Sequence, residues 1–258
     1  MSEAFKEPRE LQSIYEQRFD HQNQVYRRRL WATLIDAFFQ RWIAPDASVL
    51  DLGCGYGEFI NQVRCGRKFA MDLNPQSAQV LASGIELLAQ DCSQPWKLPD
   101  NSLDVVFSSN FFEHLPDKLA LKKTILEAAR CLKPGGQLIA LGPNIRLVNG
   151  SYWDFWDHFL CLTDVSLAEA MANNGFSVRE KIGAFLPYTT INAPRYPMAL
   201  VRLYLNLRPA WRLFGKQFLV VAEKPISVSP GTSGRWHWQV KSATGRSAPV
   251  MRGNAEHA

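Results

Sequence analysis

At 258 residues, 47% hydrophobic and 21% charged, the chain is long enough for one large α/β domain whose core needs no crosslinks. Its five cysteines (Cys54, Cys65, Cys92, Cys131, Cys161) are scattered with no C-x-x-C pair, which argues against a disulfide framework and a zinc site; no metal ligands are expected. The net charge of +5 is local: Arg235, Lys241, Arg246 and Arg252 face a single Glu256 after Ile226, and no acid lies between Glu180 and Glu223, so a nucleic-acid partner is not indicated.

The first ten residues are charged and lack the apolar stretch of a signal peptide, and no apolar run approaches the ~18 residues of a membrane span. A cytoplasmic protein is therefore expected. Residues 10–43 place Ile14, Val25, Leu30, Leu34, Ile35 and Phe38 at roughly helical spacing, a helical cap (1–45) punctuated by Pro45 and Asp46. Beyond it, short apolar strands alternate with helices: strand 48–53, helix 57–64, strand 68–73, helix 74–82 with Asn74 as N-cap, strand 85–91, strand 102–110 and helix 117–132. A turn at 133–136 leads into strand 137–144. Residues 145–162 are aromatic-rich and lose the pattern; helix 163–174 with Thr163 as N-cap, strand 176–183, a proline-punctuated insertion (184–215) and strand 216–225 follow. Residues 226–258, rich in Ser, Gly, Pro and Arg, read as a disordered tail. The alternation implies a doubly wound α/β domain over 46–225, its mostly parallel sheet covered on both faces.

The strongest motif is VLDLGCGYGEF (49–59), where a buried strand delivers three glycines, Gly53, Gly55 and Gly57, to a tight turn. Such a turn alone indicates a nucleotide-like ligand at the first crossover. Asp72, ending the second strand, is placed to accept ribose hydroxyls, and Asp91, ending the third, to meet an exocyclic amine. Asp51, before the glycines, can take a ligand ammonium and would repel a pyrophosphate. The G-x-G-x-G spacing with Glu58 following departs from the dinucleotide fingerprint, and the Lys-Ser/Thr of a P-loop is missing.

VLDLGCGYGEF (49–59), AMDLNP (70–75), LLAQDCSQPWKLPDNSLDVVFSSNFFEHLPD (87–117) and ARCLKPGGQLIALGPN (129–144) together resemble the class I S-adenosylmethionine methyltransferases, specifically the type 11 group with many small-molecule and quinone methylases. The likeness is close over 46–144 and looser to about 224. It implies a Rossmann-like sheet of seven strands, the last antiparallel, with S-adenosylmethionine as cofactor. It places Gly53, Gly55 and Gly57 against the methionine part, Asp72 and Leu73 at the ribose, Asp91 and Cys92 at the adenine, and Asn110 beside the sulfonium.

Methyl transfer mainly needs alignment of the reactants and exclusion of water, with a base only where the nucleophile arrives protonated. Acceptor-facing residues should lie outside the carboxyl ends of the strands. Glu113–His114 reads as chiefly structural. The loop 149–158 gathers Tyr152, Trp153, Phe155 and Trp156 with two acids and a histidine; His158 is the candidate general base, oriented by Asp154 or Asp157. Within the insertion, a helix from Pro197 to Arg208 is apolar nearly all round except at Arg202 and Asn206. It either covers the sheet, forms a dimer contact, or lies with the rest of 195–214 in a membrane headgroup layer.

The expected function is methyl transfer to a small-molecule or lipid- or sugar-linked acceptor. A non-catalytic S-adenosylmethionine-binding partner protein is a second reading. An RNA methyltransferase is a third, disfavoured by Ser-Ser-Asn-Phe-Phe at the fourth strand end, where amino-group nucleic-acid methylases carry N/D-P-P-Y/F.

Overall fold

The computed structural model describes residues 21–188 and 194–226; the expected 226–258 tail, apart from Ile226, and the start of the first helix lie outside them. The described elements are α1 (His21–Ala37), a 3-10 turn (Phe39–Trp42), β1 (Ser48–Leu52), β2 (Arg67–Met71), α2 (Ser77–Val80), β3 (Ile85–Leu88) and β4 (Leu103–Ser109). A 3-10 turn (Phe112–His114), α3 (Lys118–Cys131), β5 (Leu132–Pro143), α4 (Ile145–Val148) and a 3-10 stretch (Asn149–Asp154) come next. The chain then forms α5 (Asp164–Asn173), β6 (Ser177–Ile182), α6 (Met198–Asn206), α7 (Arg208–Phe214) and β7 (Gln217–Glu223).

The seven strands form one sheet in the order β3-β2-β1-β4-β5-β7-β6. β1 pairs parallel with β2 and β4, β2 with β3, and β4 with β5, while β7 runs antiparallel to both β5 and β6. The order reverses beside β1, so a crevice opens where the loops after β1 and β4 part to opposite faces. The fold is the expected seven-stranded methyltransferase type of Rossmann-like sheet, with β7 as the antiparallel strand.

Alternation along the strands divides the core between the two faces. Leu50, Leu52 and Val106 join Ile125 and Ala128 of α3 and Leu167 and Met171 of α5 on one side. Val49, Val105 and Phe107 join Leu34, Ile35, Phe38 and Trp211 on the other. On that second side Phe107 stacks on Phe59 at 3.7 Å between centroids and meets Phe39 at 5.2 Å and Trp31 at 6.0 Å, edge to face. Asp117 caps α3 by accepting from the Ala120 amide at 2.8 Å. Thr163 and Ser166 cap α5 reciprocally, as the threonine at that position leads one to expect.

Three expected elements differ. Residues 57–64 form consecutive turns instead of a helix, because the chain leaves Gly57 at φ 69° and the Asn61 side-chain Nδ2 is drawn to the Val80 carbonyl. The helix expected over 74–82 shrinks to α2, since the Asn74 side chain caps the Gln76 amide in a local turn. The KPGG turn is absorbed into β5, where Gly135 N–H donates to the Lys224 carbonyl and Lys224 N–H to that of Gly136, at 2.7 and 2.8 Å. The insertion forms two helices: α6 packs on α1, with Arg202 bonded to Asp36 at 2.9 Å, and Trp211 of α7 lies against Phe38 and Phe185.

Phe107→Ala leaves a cavity among three aromatic rings. It is expected to cost about 3–5 kcal/mol in a denaturant titration, and a loss below about 1 kcal/mol would mean this face is not packed as described.

Candidate active site

Three glycines bring the β1 loop to the crevice, at φ 74° (Gly53), 52° (Gly55) and 69° (Gly57). The ring of Phe111, from the loop after β4, lies where a Cβ on Gly53 would stand. The loop is tied to the neighbouring strand by Asp72: its Oδ2 accepts from the Gly55 amide at 2.7 Å and its Oδ1 from the Asn74 amide at 2.8 Å. Ser77 completes the frame by donating to the Gly55 carbonyl at 2.8 Å.

Carboxyl groups are concentrated beside the loop. Asp51 is 4% exposed. Burial, then the carboxylates of Glu58 and Asp72, push its pKa well above the ordinary range, against a hydrogen bond from the Ile60 amide. Asp72 is shifted up by burial too, opposed by the Asn74, Gly55 and Leu73 amides and by the charge of His114. Arg27 pairs with Glu58 at 2.7 Å. A ligand carrying cationic groups and hydroxyls suits such a donor set; a pyrophosphate does not.

The other residues expected at the cofactor have their own local partners. Asp91 Oδ1 accepts from the amide and hydroxyl of Ser93, both at 2.9 Å. The thiol of Cys92 is buried, bonded by the Thr124 hydroxyl at 3.3 Å, so only the backbone of Cys92 can meet an adenine. Asn110, exposed at φ 50°, is held by its amide on the Leu141 carbonyl at 2.8 Å. Leu73 is half-buried beside Asp72.

Opposite the glycine loop, backbone bonds join the segments that follow β4 and β5. The amides of Phe159 and Leu160 both donate to the Glu113 carbonyl, at 2.8 and 3.1 Å. This brings Glu113, His114 and His158 together, with one potential ligand atom of each within 4.8 Å of the others. The His114 and His158 rings meet edge to face at 4.9 Å. His114 Nδ1 lies 3.1 Å from a carboxylate oxygen of Asp157 and 2.9 Å from the Asp157 carbonyl. Burial opposes protonation of His114, but the Asp157 hydrogen bond and Glu113 outweigh it and its pKa rises. Glu113, 3% exposed, is pushed up to about 7 by burial, partly offset by His114.

The sequence singled out His158, Asp154 and Asp157. Asp157 orients His114; His158 bonds through Nδ1 to the Tyr152 carbonyl at 3.0 Å; Asp154 stands exposed. Glu113 and His114, expected to be structural, sit in the cluster itself. The available signal was an adjacent acid and imidazole directly after a strand that ends at the crevice. The aromatic wall expected of the β5 loop divides: Tyr152 is fully buried and Phe155 stacks on His158 at 4.8 Å, whereas Trp153 and Trp156 are exposed.

Residues 50–140 match the family model described as a methyltransferase domain. The chain is 31% identical over 123 residues to 2-methyl-6-phytyl-1,4-hydroquinone methyltransferase of Synechocystis sp., covering 45% of this chain and 38% of that protein. It thus spans well under half of that relative. Demethylmenaquinone methyltransferase of Symbiobacterium thermophilum is 26% identical over 182 residues, 63% of this chain and 70% of the relative. An S-adenosylmethionine-dependent methyltransferase from Archaeoglobus fulgidus shares the fold at a TM-score of 0.57 and 21% identity, over 80% of this chain and all of that one. Residues 50–140 therefore match a methyltransferase domain, and the sheet around them has the fold of S-adenosylmethionine-dependent methyltransferases. The buried carboxyl groups of Asp51 and Asp72 beside the glycine loop fit a ligand with the cationic groups and ribose hydroxyls of S-adenosylmethionine.

Because folding raises the Asp51 pKa, its contribution to stability is complete below the ordinary aspartate range (about 4) and is lost as pH climbs through the elevated value. Asp51→Asn keeps an acceptor for the Ile60 amide without the charge. The cofactor-free variant should melt a few degrees above the parent at neutral pH, with the gain vanishing toward pH 3. A lower melting temperature across the whole range would contradict the burial of that charge.

Proposed function

We propose that the chain methylates a small-molecule acceptor, lipid- or sugar-linked, held between the glycine loop and the cluster of Glu113, His114, Asp157 and His158. The observation that supports this reading is that the loop after β4 lays the Phe111 ring on Gly53 of the glycine loop and, two and three residues on, carries Glu113 and His114, the latter near enough to influence Asp72. When bound, S-adenosylmethionine supplies an activated methyl group. In this reading Asp51 and the backbone of Gly53, Gly55 and Gly57 hold its methionine portion, Asp72 and Leu73 its ribose, Asp91 and the Cys92 backbone its adenine, with Asn110 at the sulfonium end.

The cluster serves the acceptor. Methylation of a hydroxyl requires its proton to leave, and the cluster is built to receive or displace it. His158 keeps a place at the acceptor, while the orienting carboxylate, Asp157, acts on His114. Asp154 has no part in this arrangement.

A lipid-linked acceptor is supported by the surface. Leu200, Leu203 and Leu207 of the α6 region and Leu213 and Phe214 of α7 are exposed, with Arg208 and Arg212 among them and no acid nearby in sequence. Such a face suits anionic headgroups. Among the described residues no helix is long and apolar enough to cross a membrane.

Supplied with methyl-tritiated S-adenosylmethionine and a cell extract, the chain should label material that partitions into organic solvent. His114→Ala should lower the turnover by about 10²–10⁴-fold. Label confined to RNA, or undiminished turnover in the variant, would overturn the reading.

A further inference from the structure

We propose that Glu113, His114 and His158 form a binding site for a divalent first-row transition ion, held through one carboxylate and two imidazoles. A histidine that binds a metal through one nitrogen usually holds its other N–H by a carboxylate or a backbone carbonyl, which fixes the ring and its tautomer. Both rings have that second partner. His114 presents Nδ1 to Asp157 and His158 presents Nδ1 to the Tyr152 carbonyl. In this proposal Nε2 of each ring takes the ion.

Three ligand atoms within 4.8 Å of one another have little distance to travel. Adjacent ligands of a tetrahedral zinc-type ion lie roughly 3.4 Å apart, so closure takes a shift of on the order of 1 Å. The rings already touch edge to face, and Phe155 and Tyr152 pack on His158, at 4.8 and 4.7 Å between centroids. The backbone bonds from Phe159 and Leu160 to Glu113 lock the two ligand-bearing segments together. Glu113 is 3% exposed, and a buried carboxylate is favoured by a cation bound directly to it. Two nitrogens and one oxygen select zinc, cobalt, iron or manganese over magnesium or calcium, and leave positions open on the ion.

What the ion does rests on the reading of the cluster as the acceptor site; that it binds does not. An acceptor oxygen taken into an open position loses its proton to solvent, because coordination lowers its pKa. His158 is then a ligand and not a free base.

The test uses the full chain without an affinity tag, dialysed against chelator and titrated with Co²⁺ in the visible region. One equivalent should produce saturable d–d bands that Zn²⁺ displaces and millimolar Mg²⁺ does not. His158→Gln and Glu113→Gln should abolish them, and Asp157→Asn should weaken binding by ~10–100-fold. Circular dichroism establishes that each variant is folded; should Glu113→Gln not fold, His158→Gln, on the β5 loop, decides. Absence of the bands in the parent chain, or bands unchanged in His158→Gln, would overturn the site. The tritium assay on the same protein separates the two ideas. Co²⁺ binding without methyl transfer keeps the metal site and removes the acceptor reading; methyl transfer without Co²⁺ binding does the reverse.

Discussion

The bond from the Gly55 amide to the Asp72 carboxylate organises the crevice. It joins the loop leaving β1 to the end of β2, beside the bonds from the Gly53 and Cys54 amides to the Met71 carbonyl and from the Ser77 hydroxyl to the Gly55 carbonyl. The bond also fixes the position of a carboxylate whose burial is unfavourable without a ligand. Asp51 stands in the same condition one strand over, and Glu58 adds to the field. Buried charge of one sign at a strand terminus weakens the empty protein and strengthens its hold on a cationic ligand. The glycine loop is in this sense an electrostatic site as much as a steric one.

The sheet order explains why the opposite wall is where it is. β4 and β5 are adjacent and parallel, so their loops leave the sheet side by side at the carboxyl end. Glu113 and His158 therefore meet although 45 positions separate them in the sequence. The segments do not merely approach: the Glu113 carbonyl accepts from two amides of the other loop. Rigid support of this kind is what a site needs if its imidazoles are to keep their orientation. α6 packs on α1 and buries Leu205, with Trp211 of α7, on the face of the sheet that Phe107 shares, leaving Leu200, Leu203, Leu207 and Leu213 exposed.

Much of this was legible in the residues. Buried parallel strands are continuous apolar runs, so SVLDL, KFAM and LDVVFSS announce themselves, and the glycines with Asp51 and Asp72 mark the ligand loop because few residue types tolerate that geometry. Helix limits were readable where a side chain sets them, as Thr163 does for α5. They failed where a glycine or asparagine diverts the chain locally, as at Gly57 and Asn74. The Glu113–His114 pair was visible but not its role, because its meaning comes from Asp157 and His158, and no periodicity encodes a contact between two loops. The pairing of Asp157 with His114 belongs to the same class, a contact between two loops that the sequence spacing does not encode.

The most direct test of the account is calorimetric titration of the purified chain with S-adenosylmethionine, with NADH in parallel and Asp72→Ala as control. Micromolar binding of S-adenosylmethionine alone, lost in the variant, is the predicted result. Binding of NADH instead, or S-adenosylmethionine binding indifferent to Asp72, would contradict the assignment of the acid-walled loop to a methyl-donor cofactor.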